Sequence, residues 1–372
     1  MSVSPRRFFR PTWAEIDLRA LQGNLRAFRA RIPSGPKLLF VVKADAYGHG
    51  APIVARAAER VPGVDWLGVS SVEEGVSLRQ AGVRLPILIL GSVYPFESLR
   101  EALRHRLTPT IASIEAAREL SEICLRSRAA RTPCHVKLDT GMGRIGMGWP
   151  SGLELARFIA SEPSLYLEGV YTHLARANDD AEFTRLQLER FRSALEDMRR
   201  EGMAAPIAHA ANSAAALRFP ASRFGMVRPG LAIYGLYPRF RPVMSLKSRI
   251  VFIKNVGMGA SIGYGRTFRA RRPSRIATLP IGYGDGFPRA LSNRAGVLVR
   301  GRRCQVVGAI SMDMTTVDVT GVAGARVGDE AVLMGRQDAL EIDADALAQW
   351  AGTISYEIVT RIATRVPRVY LK

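Results

Sequence analysis

An apolar run, Leu38-Leu39-Phe40-Val41-Val42, ends in Lys43 and is followed at once by Ala44-Asp45-Ala46-Tyr47-Gly48-His49-Gly50. The run reads as a buried strand and the tail as a glycine-containing loop that opens a helix. An ammonium at the end of a buried strand costs free energy to desolvate unless something uses it. The chemistry that wants such a lysine is Schiff-base formation, where desolvation lowers the amine's pKa and frees its lone pair. Lysine is scarce: Lys37, Lys43, Lys137, Lys247, Lys254 and Lys372 are the only six among 53 basic residues. Where a permanent cation serves, the chain uses arginine, so a lysine here points to reversible deprotonation. The competing account is a lysine whose stem lines the strand end while its head reaches water.

Other polar residues fall in the same kind of place. Lys137, Asp139 and Arg144 close an apolar run in His135-Val136-Lys137-Leu138-Asp139-Thr140-Gly141-Met142-Gly143-Arg144. His173 ends another, His209, Asn212 and Ser213 follow a third, and Arg228 ends a fourth, before Pro229-Gly230. Each has a structural reading of its own. His173 and His209 suit hydrogen-bonded core positions, Arg144 suits an ion pair with Asp139, and Asn212-Ser213 before three alanines suits a helix cap. A helix start and a glycine backbone also supply the free N–H groups that a phosphate binds.

The elements that must position these groups follow from periodicity. Leu18, Leu21, Leu25, Phe28 and Ile32 recur at helical spacing. Eight strand candidates follow, at 38–43, 66–70, 86–90, 107–111, 134–139, 168–172, 206–210 and 224–228. Amphipathic segments such as 113–127 and 181–200 lie between them. Eight strand–helix units predict an α/β fold built on a (β/α)8 TIM-type barrel. A doubly wound open sheet is the rival, but no G-x-G-x-x-G follows an early strand. In a barrel the carboxyl ends of the strands meet at one mouth, so the polar residues above converge on one site. After Tyr237-Pro238 the chain is rich in Val, Ile, Thr and Gly, and long helical patterns are missing until 343–351. This predicts a mostly-β C-terminal domain, with the boundary between 1–239 and 240–372 and with residues 12–16 able to pair with that second domain.

Bulk properties narrow the function. No run of 18 apolar residues exists, so no membrane span is expected. The basic N-terminus has no apolar stretch behind it, because Glu15 and Asp17 arrive too soon. A cytoplasmic protein without an export signal is expected. Cys124, Cys134 and Cys304 are scattered, without metal spacing, and read as reduced thiols in or near the core. No metal site is expected. The net charge of +20 invites a nucleic-acid reading, but the arginines are spread along the chain. The densest groups, Arg269-Arg271-Arg272-Arg275 and Arg300-Arg302-Arg303, are short and not interleaved with aromatics. A solvated surface that draws in small anions is the expectation, and nucleic acid is not an expected partner.

With these residues in place, the chain resembles the pyridoxal-phosphate-dependent alanine racemases of the barrel-plus-β-domain type. The resemblance rests on 42–50, 137–144, His209-Ala210-Ala211-Asn212-Ser213-Ala214, Val227-Arg228-Pro229-Gly230, Gly263-Tyr264-Gly265-Arg266-Thr267, Gly282-Tyr283-Gly284-Asp285-Gly286, Ser311-Met312-Asp313 and Tyr356-Glu357, in family order over nearly the whole chain. It implies that Lys43 carries pyridoxal 5'-phosphate and serves as one catalytic base. It implies that Tyr47, Ser213, Gly230 and Tyr356 hold the phosphate and that Arg228 faces the pyridine nitrogen. Arg144 would reach the phenolic oxygen of the cofactor and the substrate, steadied by Lys137, which many members carry as a carbamate. Tyr264 would be the second base, with Met312 and Asp313 lining the substrate site. These three would come from the partner subunit of a head-to-tail homodimer. Ser311 stands where some relatives carry cysteine.

The chemistry agrees with those roles. Racemisation needs a base on each face of a planar carbanion, and the cofactor supplies the electron sink. A phenol with an ordinary pKa of about 10 is a poor base at neutral pH, so nearby positive charge is needed beside Tyr264. His173 and Arg228, linked as Tyr264 to His173 to Arg228, are the candidates. Arginine does not readily give up its proton, so a pyridine nitrogen beside Arg228 stays unprotonated. The expected activity is interconversion of L- and D-alanine, for peptidoglycan supply or alanine catabolism. A barrel-type decarboxylase would place Cys rather than Tyr264 opposite the lysine. A broad-specificity racemase would tend to be exported, and a cofactor-binding protein without turnover would lack residues 240–372.

Overall fold

The computed structural model describes residues 9–127, 131–203 and 207–372. Residue 206 of one expected strand and residues 1–8 of the basic N-terminus lie outside that set. The described chain forms two compact units, one of 25–46 with 51–233, the other of residues through Asn24 with 47–50 and 234–372. The second unit resumes at Tyr234, and it also takes in a short segment, 47–50, from within the sequence of the first.

The first unit is the barrel. After β1 (Thr12–Asp17) and α1 (Leu18–Arg29), its strands are β2 (Lys37–Val41), β3 (Trp66–Val69), β4 (Ile87–Ile89), β5 (Thr110–Ile111), β6 (Thr132–Lys137), β7 (Leu165–Tyr171), β8 (Ile207–Asn212) and β9 (Met226–Arg228). All neighbours are parallel, in the order β4-β3-β2-β9-β8-β7-β6-β5. Parallel strands covered on both faces read as continuous apolar runs. That is why Leu38 to Val41 and Trp66 to Val69 are all buried. The circle closes between β4 and β5 through a single bridge, Leu88 to Thr108, in which Ile89 N–H donates to Thr108 O at 2.9 Å and Thr108 N–H to Ile87 O at 2.8 Å. The Tyr171 hydroxyl spans this seam, bonding Thr110 Oγ1 at 2.9 Å and donating to Leu90 O at 3.2 Å.

The connections are helical. They are α2 (Lys43–Gly48), α3 (Ala51–Glu59), α4 (Val72–Gln80), α5 (Ser98–Arg104), α6 (Ile114–Ser127), α7 (Ser151–Ser161), α8 (Ala181–Arg200) and α9 (Ser213–Arg218). Expected segments 113–127 and 181–200 are α6 and α8; α8 starts at an Asp180 cap whose carboxylate accepts Phe183 N–H. α2 differs from the expected loop. Ala44, Asp45, Ala46 and Tyr47 have φ of 52, 52, 54 and 54°, so the turn is left-handed. Each such L-residue costs roughly 1–2 kcal/mol, so neighbours must hold it. Glu74 Oε1 accepts Ala44 N–H at 2.6 Å, and Asp45 Oδ1 accepts Ala51 N–H at 2.7 Å.

The second unit is mostly β. It holds β1 with β10 (Met244–Arg249), β11 (Phe252–Val256), β12 (Ser261–Ile262), β13 (Phe268–Arg269), β14 (Ser274–Leu279), β15 (Gly296–Val299), β16 (Arg302–Gln305), β17 (Thr315–Asp318), β18 (Glu330–Gln337), β19 (Leu340–Ile342) and β20 (Arg368–Leu371). The main sheet runs β16-β15-β18-β10-β1-β20, with β19 on β18. β1 lies antiparallel to β10, with Thr12 opposite Ser248, and parallel to β20, with Ala14 opposite Arg368. Alternation along β10 buries Met244, Leu246 and Ser248 and turns the residues between them outward, as a one-sided sheet requires. A smaller sheet, β11-β14-β17, backs a core of Ile262, Ile276 and Val307. The helices α10 (Ala344–Ala351) and α11 (Ser355–Thr360) precede β20.

Candidate active site

In the barrel unit, Lys43, Lys137, His173, Ser213 and Arg228 all stand at the carboxyl ends of strands or in the turns just after them. Lys43 opens α2, and its amine is held below the ordinary lysine range by burial first and by the Arg144 charge second; Glu74 opposes both. Lys137 ends β6, is buried, and is lowered to about 8 by burial, then by Arg144, Arg228 and Lys43. Its ammonium sits 5.4 Å from the centre of the Tyr171 ring. Two lysines with weakened proton affinity beside two arginines make a strongly positive mouth whose amines give up a proton more readily than ordinary lysines.

Arg228 is the best-anchored group there. It ends β9 and is buried. Nη1 donates to His209 Nδ1 at 2.7 Å, and Nη2 donates to Thr172 O at 2.8 Å and Ala210 O at 3.0 Å. Burial lowers it to about 10, which leaves it cationic at neutral pH. His209 stacks on Tyr171, with ring centres 4.6 Å apart and 8° between planes. Two barrel register shifts fall at this place, between Cys134 and His135 on β6 and between His209 and Asn212 on β8. Such bulges re-aim side chains beside active sites.

Two expectations need correction. His173 was a candidate positive charge, but burial and then Arg228 push it down to about 3, so it is neutral and Arg228 alone of the pair is a cation. His173 Nδ1 lies 3.5 Å from Arg228 Nη2. Arg144 does not pair with Asp139 as one reading allowed. The Asp139 carboxylate instead accepts the backbone N–H groups of Gly141, Met142 and Gly143 at 2.8, 2.8 and 2.9 Å, shaping the loop that carries Arg144. Arg144 itself is exposed.

The phosphate candidates divide between the units. In the barrel, Asn212 caps α9 through Ala215 N–H, and Ser213 Oγ accepts the N–H groups of Gly230 at 3.0 Å and Ala232 at 3.3 Å. In the second unit, the Tyr47 ring lies 4.7 Å from that of Tyr234, and burial, then Tyr356, push its phenol up to about 12. Tyr47 therefore remains a protonated donor across the neutral range. Gly48 follows where a Cβ would meet Val359 O at 2.3 Å, so only glycine fits.

Tyr264, Met312 and Asp313 also belong to the second unit. Tyr264 is 75 % exposed and Met312 54 %. The turn bearing Tyr264 is built on left-handed residues, Gly263 at φ 71°, Gly265 at 70° and Arg266 at 50°. Met312 and Asp313 are held by an ion network that the sequence did not single out. Asp285, fully buried, binds Arg10 through both oxygens and Arg365 at 2.8 Å. Arg10 also donates to Asp313 O at 3.0 Å, and Arg365 to Asp313 Oδ1 at 2.9 Å. Glu74 was missed as well. The Ser71-Val72-Glu73-Glu74 spacing signals a cap, but the Glu74 carboxylate turns to Ser70 and Ala44 N–H. Among the described residues no group of three or more His, Cys, Asp or Glu is placed to hold a metal ion.

Comparison with known proteins agrees with this architecture over its whole length. Residues 16–238 match the model of the alanine racemase N-terminal domain, and residues 243–370 match that of the C-terminal domain. The alanine racemase of Symbiobacterium thermophilum is 48 % identical over 97 % of both chains. Among solved structures, alanine racemase from Clostridium difficile aligns at a TM-score of 0.92 with 38 % identity, covering 98 % of this chain and 97 % of that one. The Bacillus anthracis enzyme with bound L-Ala-P aligns at 0.92 with 35 % identity, covering 98 % and 96 %. With both domain models matched in order and close relatives covered end to end, this chain belongs to the alanine racemase family.

Proposed function

We propose that this chain interconverts L- and D-alanine with pyridoxal 5'-phosphate as cofactor. The observation that carries the reading is Lys43, a scarce lysine at a strand end whose amine is depressed by burial and by Arg144. An amine in that state is a nucleophile for an aldehyde and a base for a Cα proton. The donor set fits the cofactor: the protonated Tyr47 phenol, the Tyr356 and Ser213 hydroxyls and the Gly230 N–H suit a phosphate, and fixed Arg228 suits a ring nitrogen. When bound, the cofactor supplies the electron sink for the carbanion. Arg228 stays charged and keeps its protons, so it donates a hydrogen bond without protonating its partner. A weak sink favours return of the proton over transamination.

Lys43 holds or takes the proton on one face. Tyr264 is the proposed base on the other, supplied with Met312 and Asp313 by a second copy of the chain. Their exposure supports this, because a phenol that its own chain leaves uncovered is available to a partner. Arg144 is proposed to reach the phenolic oxygen and the substrate, steadied by Lys137. Three buried, unpaired cysteines suit a reducing compartment, which supports a cytoplasmic location.

The test is turnover. Purified protein loaded with pyridoxal phosphate should convert L-alanine to D-alanine, read by coupling to D-amino-acid oxidase, in preference to a panel of other amino acids. Lys43→Ala should lose both turnover and the visible absorbance of the bound cofactor. Near-wild-type activity in that variant would sink the assignment of Lys43, and loss of carbon dioxide from the amino acid would favour a decarboxylase.

A further inference from the structure

Behind Arg228 a line of buried polar side chains descends into the barrel, and nothing in the proposed chemistry uses it. His209 Nε2 lies 2.8 Å from His135 Nδ1, and His135 Nε2 lies 3.5 Å from Glu168 Oε2. Both histidines are fully buried. His135 Nε2 and Glu168 Oε2 are buried polar atoms that meet no hydrogen-bond partner at ideal geometry, and at 3.5 Å each is placed to satisfy the other. The strand register sets the depth of each step. Arg228 lies opposite Asn212, His209 opposite Tyr171, and His135 opposite Gly169, two residues deeper on β7. The fold makes room for this line. A Cβ on Gly169 would come within 2.5 Å of His135 Cε1 and Nδ1. The bulges at Cys134/His135 and His209/Asn212 fall at the two rings.

The donors dictate one arrangement of protons. Guanidinium has no lone pair to offer, so His209 Nδ1 must accept from Arg228. The proton of neutral His209 is then on Nε2, and it points at His135 Nδ1, which must accept in turn. The proton of His135 is then on Nε2, facing the Glu168 carboxylate. The reverse order would set an N–H of His209 against an N–H of Arg228. Burial disfavours a charge on either ring, as does Arg228, and this leaves no spare proton in the line.

We propose that Glu168 and His135 are positioning residues: by terminating this line with an acceptor, they fix His209 in the tautomer that holds the Arg228 guanidinium. Neither touches the reacting atoms. Their role for catalysis rests on the reading that Arg228 faces the cofactor's ring, whereas the tautomers themselves do not depend on it.

The experiment uses the full chain labelled with 15N-histidine, cofactor-free and loaded with pyridoxal phosphate. The chain has five histidines, so long-range 1H–15N spectra can be assigned by single replacements. His135 and His209 should both be neutral and carry the proton on Nε2 at neutral pH in both states. In Glu168→Leu the acceptor is gone. His135 should then populate the other tautomer, and kcat should fall on the order of tenfold, the effect of one unmade buried hydrogen bond, with KM changed far less. Glu168→Gln, whose amide oxygen still accepts, should keep both tautomers and most of kcat. A proton on Nδ1 of either ring in the wild type, or a doubly protonated ring, overturns the proposal, as does a folded Glu168→Leu with unchanged tautomers and kcat. If Glu168→Leu does not fold, the wild-type and Glu168→Gln spectra decide. Correct tautomers in a protein that does not racemise alanine would leave the line standing and defeat the functional reading. Racemisation with the wrong tautomers would do the opposite.

Discussion

Lys137 shows how much one residue's surroundings determine its chemistry. It is a buried cation among Arg144, Arg228 and Lys43, with only Asp139 acting the other way. As an ammonium it repels the arginine it is proposed to steady. As a carbamate it would carry a negative charge and attract Arg144 instead. With its pKa lowered to about 8, roughly a tenth is free amine at pH 7, far more than for an ordinary lysine, and the fraction grows as pH rises through that value. Protein equilibrated with 13C-bicarbonate should therefore show a carbamate resonance that strengthens from neutral to mildly alkaline pH and vanishes in Lys137→Arg. A bare amine under those conditions would count against the role. Lys43, Lys137 and Arg228 were legible in the sequence because each closes an apolar run, and a charge there is a local anomaly. His135 was not, since a histidine inside a strand looks like any core histidine until β7 brings Glu168 against it. Nor was Asp285, whose partners Arg10 and Arg365 lie at opposite ends of the chain.

Among the elements, the barrel strands were the readable part. Each of the eight expected runs is matched by a strand, with ends displaced by a few residues, because burial on both faces leaves a plain apolar signal. The shortest, β5, shrank most: of the expected 107–111 only Thr110–Ile111 is strand, and Thr108 is left to carry the bridge to Leu88. Pairing at a seam is a property of the closed sheet, which no single segment displays. The left-handed α2 was illegible for a different reason. Left-handed backbone is announced by glycine and, singly, by asparagine or aspartate, and one Asp45 among Ala44, Ala46 and Tyr47 does not announce four such residues in a row. What holds it is Glu74, a carboxylate supplied by α4, whose two oxygens bind N–H groups of Ala44 and Ser70. Strain of this kind persists where surrounding structure over-determines it, and such places cluster at functional sites.

At the scale of the molecule, the sequence showed a barrel followed by a β domain, and it did not show that 47–50 would join the later unit. Chain order hides that exchange, because four residues are too short a segment to carry a pattern of their own. The exposure of Tyr264 and Met312 leads to the larger prediction, that a working site takes residues from two copies. Inactive Lys43→Ala and inactive Tyr264→Phe proteins, mixed so that subunits exchange, should regain up to about a quarter of wild-type activity. Half the dimers become mixed, and each mixed dimer has one site with both lesions and one with neither, as two-fold symmetry requires. Proven exchange with no recovery would place both residues in the same chain's site.

The left-handed turn next to Lys43 has a consequence of its own. A φ near +52° is awkward for an L-residue but is the mirror image of ordinary helical backbone, and so the natural home of a D-residue. Ala44 is exposed, so moving its methyl to the mirror position displaces no core atom. A semisynthetic chain with D-alanine at 44 should gain stability, roughly 1–2 kcal/mol by the cost of the L-form, read as a raised urea midpoint at unchanged slope. An unchanged or lowered midpoint would mean that the neighbours, and not the stereocentre, set the energy of the turn. The proposed product of this catalyst is thus the residue that its own backbone, one step past Lys43, would accept with the least strain.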